Sequence, residues 1–124
     1  MEIKKRFQTY VISLLITVIV IRTFLTVLPF FNFNLGHYNI HHFFVGALLI
    51  IISILCLIVN IAEKFSIIIA GIGSALVLDE IVYLIATDGS DLSYLTPLSL
   101  IGSIILNASI LILIIILYYN AKKR

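Results

Sequence analysis

The chain has 124 residues, of which 62% are hydrophobic and only 11% are charged. This composition lies far outside the range of soluble globular domains and predicts an integral membrane protein. The formal net charge of +2 says little as a sum, because in membrane proteins the positions of Lys and Arg carry the information. The single cysteine, Cys56, excludes a disulfide within the chain and a cysteine-rich zinc motif.

Four apolar spans follow one another, each long enough to cross the roughly 30 Å hydrocarbon layer. They lie at about 7–31, 42–62, 65–87 and 96–119. The connections are short: 32–40 contains Asn and Gly turn formers, Glu63 and Lys64 form most of the second, and 88–94 forms the third. Because short connections make consecutive helices antiparallel neighbours, the predicted fold is all-α. We expect a single domain, 1–124, that is an antiparallel four-transmembrane-helix bundle.

The basic residues cluster at one end of this predicted bundle. Apart from Arg22, they precede helix 1, separate helices 2 and 3, or follow helix 4; they are Lys4, Lys5, Arg6, Lys64, Lys122, Lys123 and Arg124. The positive-inside rule therefore predicts a multi-pass protein of the cell membrane with cytoplasmic N- and C-termini. The terminal basic triplets indicate contacts with anionic membrane lipids and no nucleic-acid partner.

Two adjacent acids, Asp79 and Glu80, lie within the third span. A charged side chain at the membrane centre costs at least about 2.5 kcal/mol, so the pair indicates a partner or a function. At about 1.5 Å per residue, Asp79 and Arg22 lie at matching heights, about 20 Å above the cytoplasmic end. The two acids point about 100° apart, which predicts that one faces Arg22 and the other faces the histidines that begin helix 2.

Small and polar residues mark the predicted inward faces of the other helices. Helix 2 carries a stripe at three- and four-residue spacing: His42, Gly46, Leu49, Ser53, Cys56 and Asn60. Helix 4 repeats Ser99, Ser103 and Asn107 every four residues. The small residues Gly71 and Gly73 precede the acids and predict close approach of neighbouring backbones.

The first functional hypothesis is a metal site. Neutral imidazoles and carboxylates suit a divalent zinc, iron, manganese or copper ion. The candidate ligands are His41, His42, Asp79 and Glu80. His37 joins His41 at helical spacing if helix 2 begins early.

The second hypothesis is an outward-facing pocket for a small polar ligand, such as a lipid head group or small anion. Here Arg22 and the histidines His37, His41 and His42 supply the binding charges, and an acid serves as a possible base. Arg22 is also the natural counter-charge of one acid. Tyr83 lies one turn beyond the acids and is the expected hydrogen-bond partner.

Other classes stay open. The polar network alone could fix helix register, as buried charges do in some proteins. The chain could then be a non-catalytic accessory subunit of a larger membrane complex, or associate with itself. A small proton-coupled carrier or membrane hydrolase is a further alternative, although the sequence assigns no catalytic residue.

Two motifs carry a resemblance. Residues 40–46 read Ile-His-His-Phe-Phe-Val-Gly, and residues 71–80 read Gly-Ile-Gly-Ser-Ala-Leu-Val-Leu-Asp-Glu. In these motifs the chain resembles a family of small, uncharacterised integral membrane proteins of bacteria and archaea. The resemblance covers helices 2 and 3, and it implies that His41, His42, Asp79 and Glu80 belong to one site.

Overall fold

A computed structural model describes residues 1–123 of the chain. Within these residues the fold is helical, with one short hairpin. The elements in chain order are α1 (Ile3–Val27), β1 (Asn34–Leu35), β2 (Tyr38–Asn39), α2 (His42–Ile58), α3 (Glu63–Ala86), α4 (Asp91–Tyr94) and α5 (Pro97–Lys122). The all-α prediction is therefore confirmed, while Arg124, one of the predicted topology residues, lies outside the described residues.

Three helices of this fold are long and apolar enough to cross a membrane: α1, α3 and α5. The fourth, α2, has 17 residues and contains no Asp, Glu, Lys or Arg. At 1.5 Å per residue it is about 25 Å long, which is near the lower limit for a span.

The first helix begins and ends earlier than the predicted 7–31. It starts at Ile3 and takes in the basic residues, and it ends at Val27. Pro29 follows closely, and a proline both lacks an N–H donor and disfavours helical backbone at the residue before it. The aromatic residues after Pro29 therefore belong to the connection to α2.

The turn between α2 and α3 also differs from the prediction. Helix α2 ends at Ile58 because Asn60 (φ 56°) and Ala62 (φ 48°) adopt left-handed backbone, which a helix cannot contain. Consequently Glu63 and Lys64 begin α3 and do not form the connection. The predicted inward position of Asn60 is wrong as well, since this residue is exposed in the turn.

Helix α3 is the centre of the fold. Helices α1, α2 and α5 each pack on α3; α1 and α5 also touch, whereas, in residues 1–123, α2 packs on neither α1 nor α5. The Arg6–Glu63 ion pair joins the beginnings of α1 and α3, and the Arg22–Asp79 ion pair joins their later halves, so these two helices are parallel. Because α1 and α2 both pack on α3 and, within residues 1–123, not on each other, a gap remains between α1 and α2.

Glycines bring the peripheral helices close to α3. A Cβ atom added to Gly46 of α2 would lie 2.6 Å from the carbonyl oxygen of Gly73. A Cβ atom on Gly71 would lie 2.7 Å from the carbonyl oxygen of Tyr10 in α1. Both distances are shorter than real carbon–oxygen contacts, so the predicted close approach of backbones is confirmed at both interfaces.

The polar stripe of the last helix faces inward as predicted. Ser99, Ser103 and Asn107 of α5 are buried, and so are Gly46 and Ser53 of α2. Ser53 donates a hydrogen bond from its hydroxyl to the carbonyl of Ser66 on α3 (2.7 Å). These contacts align α2 and α5 with the two acids of α3.

Candidate functional site

Asp79 is completely buried and connects four helices. Its Oδ1 accepts hydrogen bonds from Arg22 Nε of α1 (2.5 Å) and Ser103 Oγ of α5 (2.7 Å). Its Oδ2 accepts from the hydroxyl of Tyr94 in α4 and lies 3.3 Å from His42 Nε2 at the start of α2. Each oxygen of this carboxylate therefore already has two protein partners.

Arg22 is as fully engaged as its partner. Besides the Nε contact with Asp79, its Nη1 donates to the carbonyl of Tyr94 (3.1 Å), and its Nη2 lies within 3.2 Å of the carbonyls of Asp79 and Ser99. The guanidinium also lies over the Tyr94 ring, 4.2 Å from its centroid. This geometry agrees with the counter-charge role and leaves Arg22 outside the pocket described below.

Glu80 faces the beginning of α2. Its Oε1 lies 2.8 Å from His41 Nδ1, and its Oε2 accepts the backbone N–H of Phe43 (2.7 Å). A carboxylate at a helix N-terminus satisfies a free N–H group and interacts favourably with the helix dipole. Glu80 therefore both orients His41 and caps α2, as the predicted division between the two acids implies.

His42 touches both acids. Its Nε2 lies 3.3 Å from Asp79 Oδ2, and its Nδ1 lies 3.3 Å from Glu80 Oε2. Its ring also meets the Tyr94 ring edge to face, with centroids 5.8 Å apart. His42 is therefore the link between the Arg22–Asp79 pair and the His41–Glu80 pair.

Two predicted site residues have other positions. Tyr83 is buried near the acids, but its hydroxyl donates to the carbonyl of Gly89 (2.6 Å), so the predicted hydrogen bond to an acid is wrong. His37 lies exposed in the turn of the β1–β2 hairpin. Helix α2 begins only at His42, so the early start that would place His37 and His41 at helical spacing does not occur.

Tyr94 is a site residue that the sequence does not predict. This residue belongs to the one-turn helix α4, in a segment that was expected to be a plain connection. Burial and the negative charge of Asp79 raise the pKa of Tyr94, which keeps its hydroxyl protonated as a donor. A single tyrosine in a polar connection gives only a weak signal, because its contact with Asp79 depends on the tertiary fold.

A cavity of about 160 Å³ lies in the gap between α1 and α2 at this end of the molecule. Its polar lining consists of His41, His42, Glu80, Tyr83, Tyr94, Asn32, Asn39 and Asp91. Its apolar lining consists of Ile21, Phe24, Leu25, Pro29, Phe31, Phe33, Ile40 and Val45. We call this cavity the outer pocket.

His41 is the most accessible member of the acid–histidine cluster. Its side chain is 24% exposed, against 4% for Glu80 and none for Asp79. Because an ionised carboxylate only accepts hydrogen bonds, the contact with Glu80 favours the His41 tautomer that carries its proton on Nδ1, and in that tautomer Nε2 is an acceptor. Within residues 1–123, no protein group forms a hydrogen bond with this Nε2. The outer pocket therefore offers a free hydrogen-bond acceptor beside apolar walls.

The metal hypothesis fits this arrangement poorly. In residues 1–123, no group of three or more His, Cys, Asp or Glu side chains is placed to hold a metal ion. The four carboxylate oxygens of Asp79 and Glu80 all accept from or face protein donors. A metal ion would have to displace these partners, including the N–H of Phe43 that begins α2.

Comparisons with known proteins found no matching family model, no matching curated protein and no matching solved structure. The resemblance to small prokaryotic membrane proteins therefore stays a prediction from the two motifs.

Proposed function

We propose that this chain is an integral membrane protein that binds a small polar ligand in the outer pocket. The observation that carries the proposal is the His41–Glu80 pair, with its 2.8 Å contact, at the base of a cavity of about 160 Å³. Ligand pockets typically combine apolar walls with a few converging polar groups. Here the pair supplies an oriented acceptor, and the phenylalanines and aliphatic residues supply the walls.

In the proposed topology, four helices cross the bilayer and both termini are cytoplasmic. These helices are α1, α2, α3 and α5. Its support is the apolar, uncharged sequence of α2 and the position of the basic residues. Lys4 and Lys5 begin α1, Lys64 begins α3 and Lys122 ends α5. In this topology the outer pocket lies near the extracytoplasmic surface.

Accessibility of single cysteines tests the topology. In a Cys56→Ser background, Ser90→Cys should react with a membrane-impermeant maleimide added to intact cells. Lys122→Cys should react only after lysis. Labelling of Lys122→Cys in intact cells, with protection of Ser90→Cys, would refute the orientation.

The shape of the pocket indicates the kind of ligand. The cavity has room for a group of a few heavy atoms, because it exceeds the space that one water needs several-fold. It lies where α1 and α2 do not pack on each other, so its apolar side adjoins the hydrocarbon layer in the proposed topology. A molecule with a hydrogen-bond donor at one end and a compact apolar group at the other matches both features.

A neutral alcohol, 3,3-dimethylbutan-1-ol, is a direct probe of this proposal. Saturation-transfer NMR on protein in nanodiscs should detect its binding with a dissociation constant in the millimolar range, as expected for so small a ligand. His41→Ala should weaken binding about two- to tenfold, which is the worth of one hydrogen bond.

The matched control is His37→Ala, which removes an exposed histidine of the hairpin turn. It should leave the dissociation constant unchanged. Equal loss in both variants, or no binding to the wild type, would refute a pocket that acts through His41.

Metal binding by His41, His42, Asp79 and Glu80 stays a separate prediction. Elemental analysis of the purified protein tests it. A stoichiometric metal that disappears in the Asp79→Asn, Glu80→Gln double variant would favour the metal site over the pocket. Its absence in the wild type would leave the pocket as the function that the geometry supports.

A further inference from the structure

We infer that the ligand of the outer pocket carries a cationic ammonium group, recognised by carboxylates and aromatic rings. This inference rests on the proposed function, because it names the chemical class of the ligand. It depends on three properties of the lining: its charge, its aromatic faces and the position of Arg22.

The charge of the lining favours a cation. Two carboxylates, those of Glu80 and Asp91, line the pocket, and no Lys or Arg within residues 1–123 does so. Arg22, the nearest basic side chain, bonds Asp79 and backbone carbonyls and is absent from the lining. Among the lining residues within 1–123, His41 and His42 are the groups that could offset these two acids.

The aromatic residues add to this preference. The lining contains the rings of Phe24, Phe31, Phe33, Tyr83 and Tyr94, and the Arg22 guanidinium already covers one face of the Tyr94 ring. Phe24 and Phe31 meet edge to face with centroids 5.1 Å apart, and Tyr83 and Tyr94 do so at 5.5 Å. A cation over the face of an aromatic ring is attracted by the ring quadrupole, and aromatic cages that recognise quaternary ammonium groups use this effect.

The two acids differ in position and so in role. Glu80 lies at the base, almost completely buried, and is held by His41 and the N–H of Phe43. Asp91 begins α4, is half-buried, and accepts a hydrogen bond from Asn32 (3.1 Å). Asp91 is therefore the acid that a variant can neutralise with least effect on the packing of the helices.

Choline and 3,3-dimethylbutan-1-ol provide a matched pair of probes, because they differ essentially in the charged nitrogen. We expect choline to bind about tenfold more tightly than the alcohol to wild-type protein in phosphatidylglycerol nanodiscs. Sodium chloride at the same ionic strength controls for screening.

Asp91→Asn should weaken choline binding about two- to fivefold, as the loss of a partly exposed charge predicts, and should weaken binding of the alcohol less than it weakens binding of choline. Asp88→Asn is the matched control. Asp88 is an exposed acid of the same connection that is not part of the lining, so its replacement should change neither ligand's affinity.

The source of the ammonium group is tested by lipid composition. If phosphatidylcholine in the nanodisc competes with free choline, the natural source is a lipid head group. If phosphatidylcholine has no effect and choline still binds, the source is a free amine. These two results distinguish the sources of the ammonium group, while the comparison of choline with the alcohol tests the cationic class itself.

Two results would overturn the inference. The first is equal affinity for 3,3-dimethylbutan-1-ol and choline, which would support the pocket as a ligand site but show no preference for a cation. The other is an equal effect of Asp91→Asn and Asp88→Asn on choline. Failure of both ligands to bind would instead refute the proposed function itself.

Discussion

Replacement of Asp79 by Asn tests how strongly the buried ion pair stabilises the fold. The carboxylate is completely buried, and its two oxygens accept from or face four side chains: Arg22, Ser103, Tyr94 and His42. Asparagine keeps the shape but has one acceptor oxygen and no charge. At least two of the donors would then face an amide N–H₂ group, and Arg22 would lose its counter-charge.

The expected loss is about 3–5 kcal/mol in the free energy of unfolding, the usual range when one partner of a buried pair is removed. Reversible unfolding in mixed micelles of detergent and SDS measures this quantity. The matched control is Glu2→Gln, directly before the start of α1. Its side chain is 76% exposed and lies 4.0 Å from Lys5, so its loss should cost below about 1 kcal/mol.

A double-mutant cycle separates the pair from its surroundings. Arg22→Met combined with Asp79→Leu removes both charges and leaves neither one unpaired. This double variant should be less destabilised than the sum of the two single changes, by about 1–3 kcal/mol. Strict additivity, or an Asp79→Asn cost no larger than that of Glu2→Gln, would refute a stabilising role for the Arg22–Asp79 contact.

Three further predictions concern the surroundings of the site. Glu80→Ala should speed amide hydrogen exchange at Phe43 about tenfold or more, because this N–H loses a charged acceptor; unchanged exchange would contradict the cap. Gly46→Val should lower the free energy of unfolding by about 1–3 kcal/mol, because the larger side chain overpacks against α3. The control Ala108→Val, at an exposed position of α5, should not. Equal unfolding midpoints for the two variants would contradict the close α2–α3 contact. The pKa of the Tyr94 phenol is raised, so this phenol should ionise well above pH 10. The stability that Tyr94 contributes should be complete below about pH 10 and should be lost as the pH rises through the raised pKa. Ultraviolet titration of the wild type minus that of Tyr94→Phe measures this phenol, and a midpoint near pH 10 would contradict its burial.

The helices and the contact between α1 and α3 were accessible from the sequence for simple reasons. Apolar length defines the long helices, and equal rise per residue places Arg22 and Asp79 at the same height. The 100° step between consecutive residues separates Asp79 from Glu80. These are properties of a single helix or a pair of helices, so no knowledge of the complete fold is required.

Features that depend on contacts among three or more helices or strands could not be predicted from the sequence. Tyr94 reaches Asp79 only because α4 folds back over the ends of α1 and α3. Tyr83 lies at the expected height, yet its hydroxyl donates a hydrogen bond to the carbonyl of Gly89. The missed hairpin and the early end of α2 reflect local backbone choices, such as φ +64° at Gly36 and φ 48° at Ala62, which apolar patterns do not report.

The central claim is that His41 presents a free acceptor nitrogen to a ligand in the outer pocket. Nuclear magnetic resonance of ¹⁵N-histidine-labelled protein in nanodiscs measures this atom directly. On addition of 3,3-dimethylbutan-1-ol, we predict that the Nε2 resonance of His41 shifts in a saturable manner while the resonances of His37 stay unchanged. Saturable binding of the alcohol with no change at His41 would contradict the account.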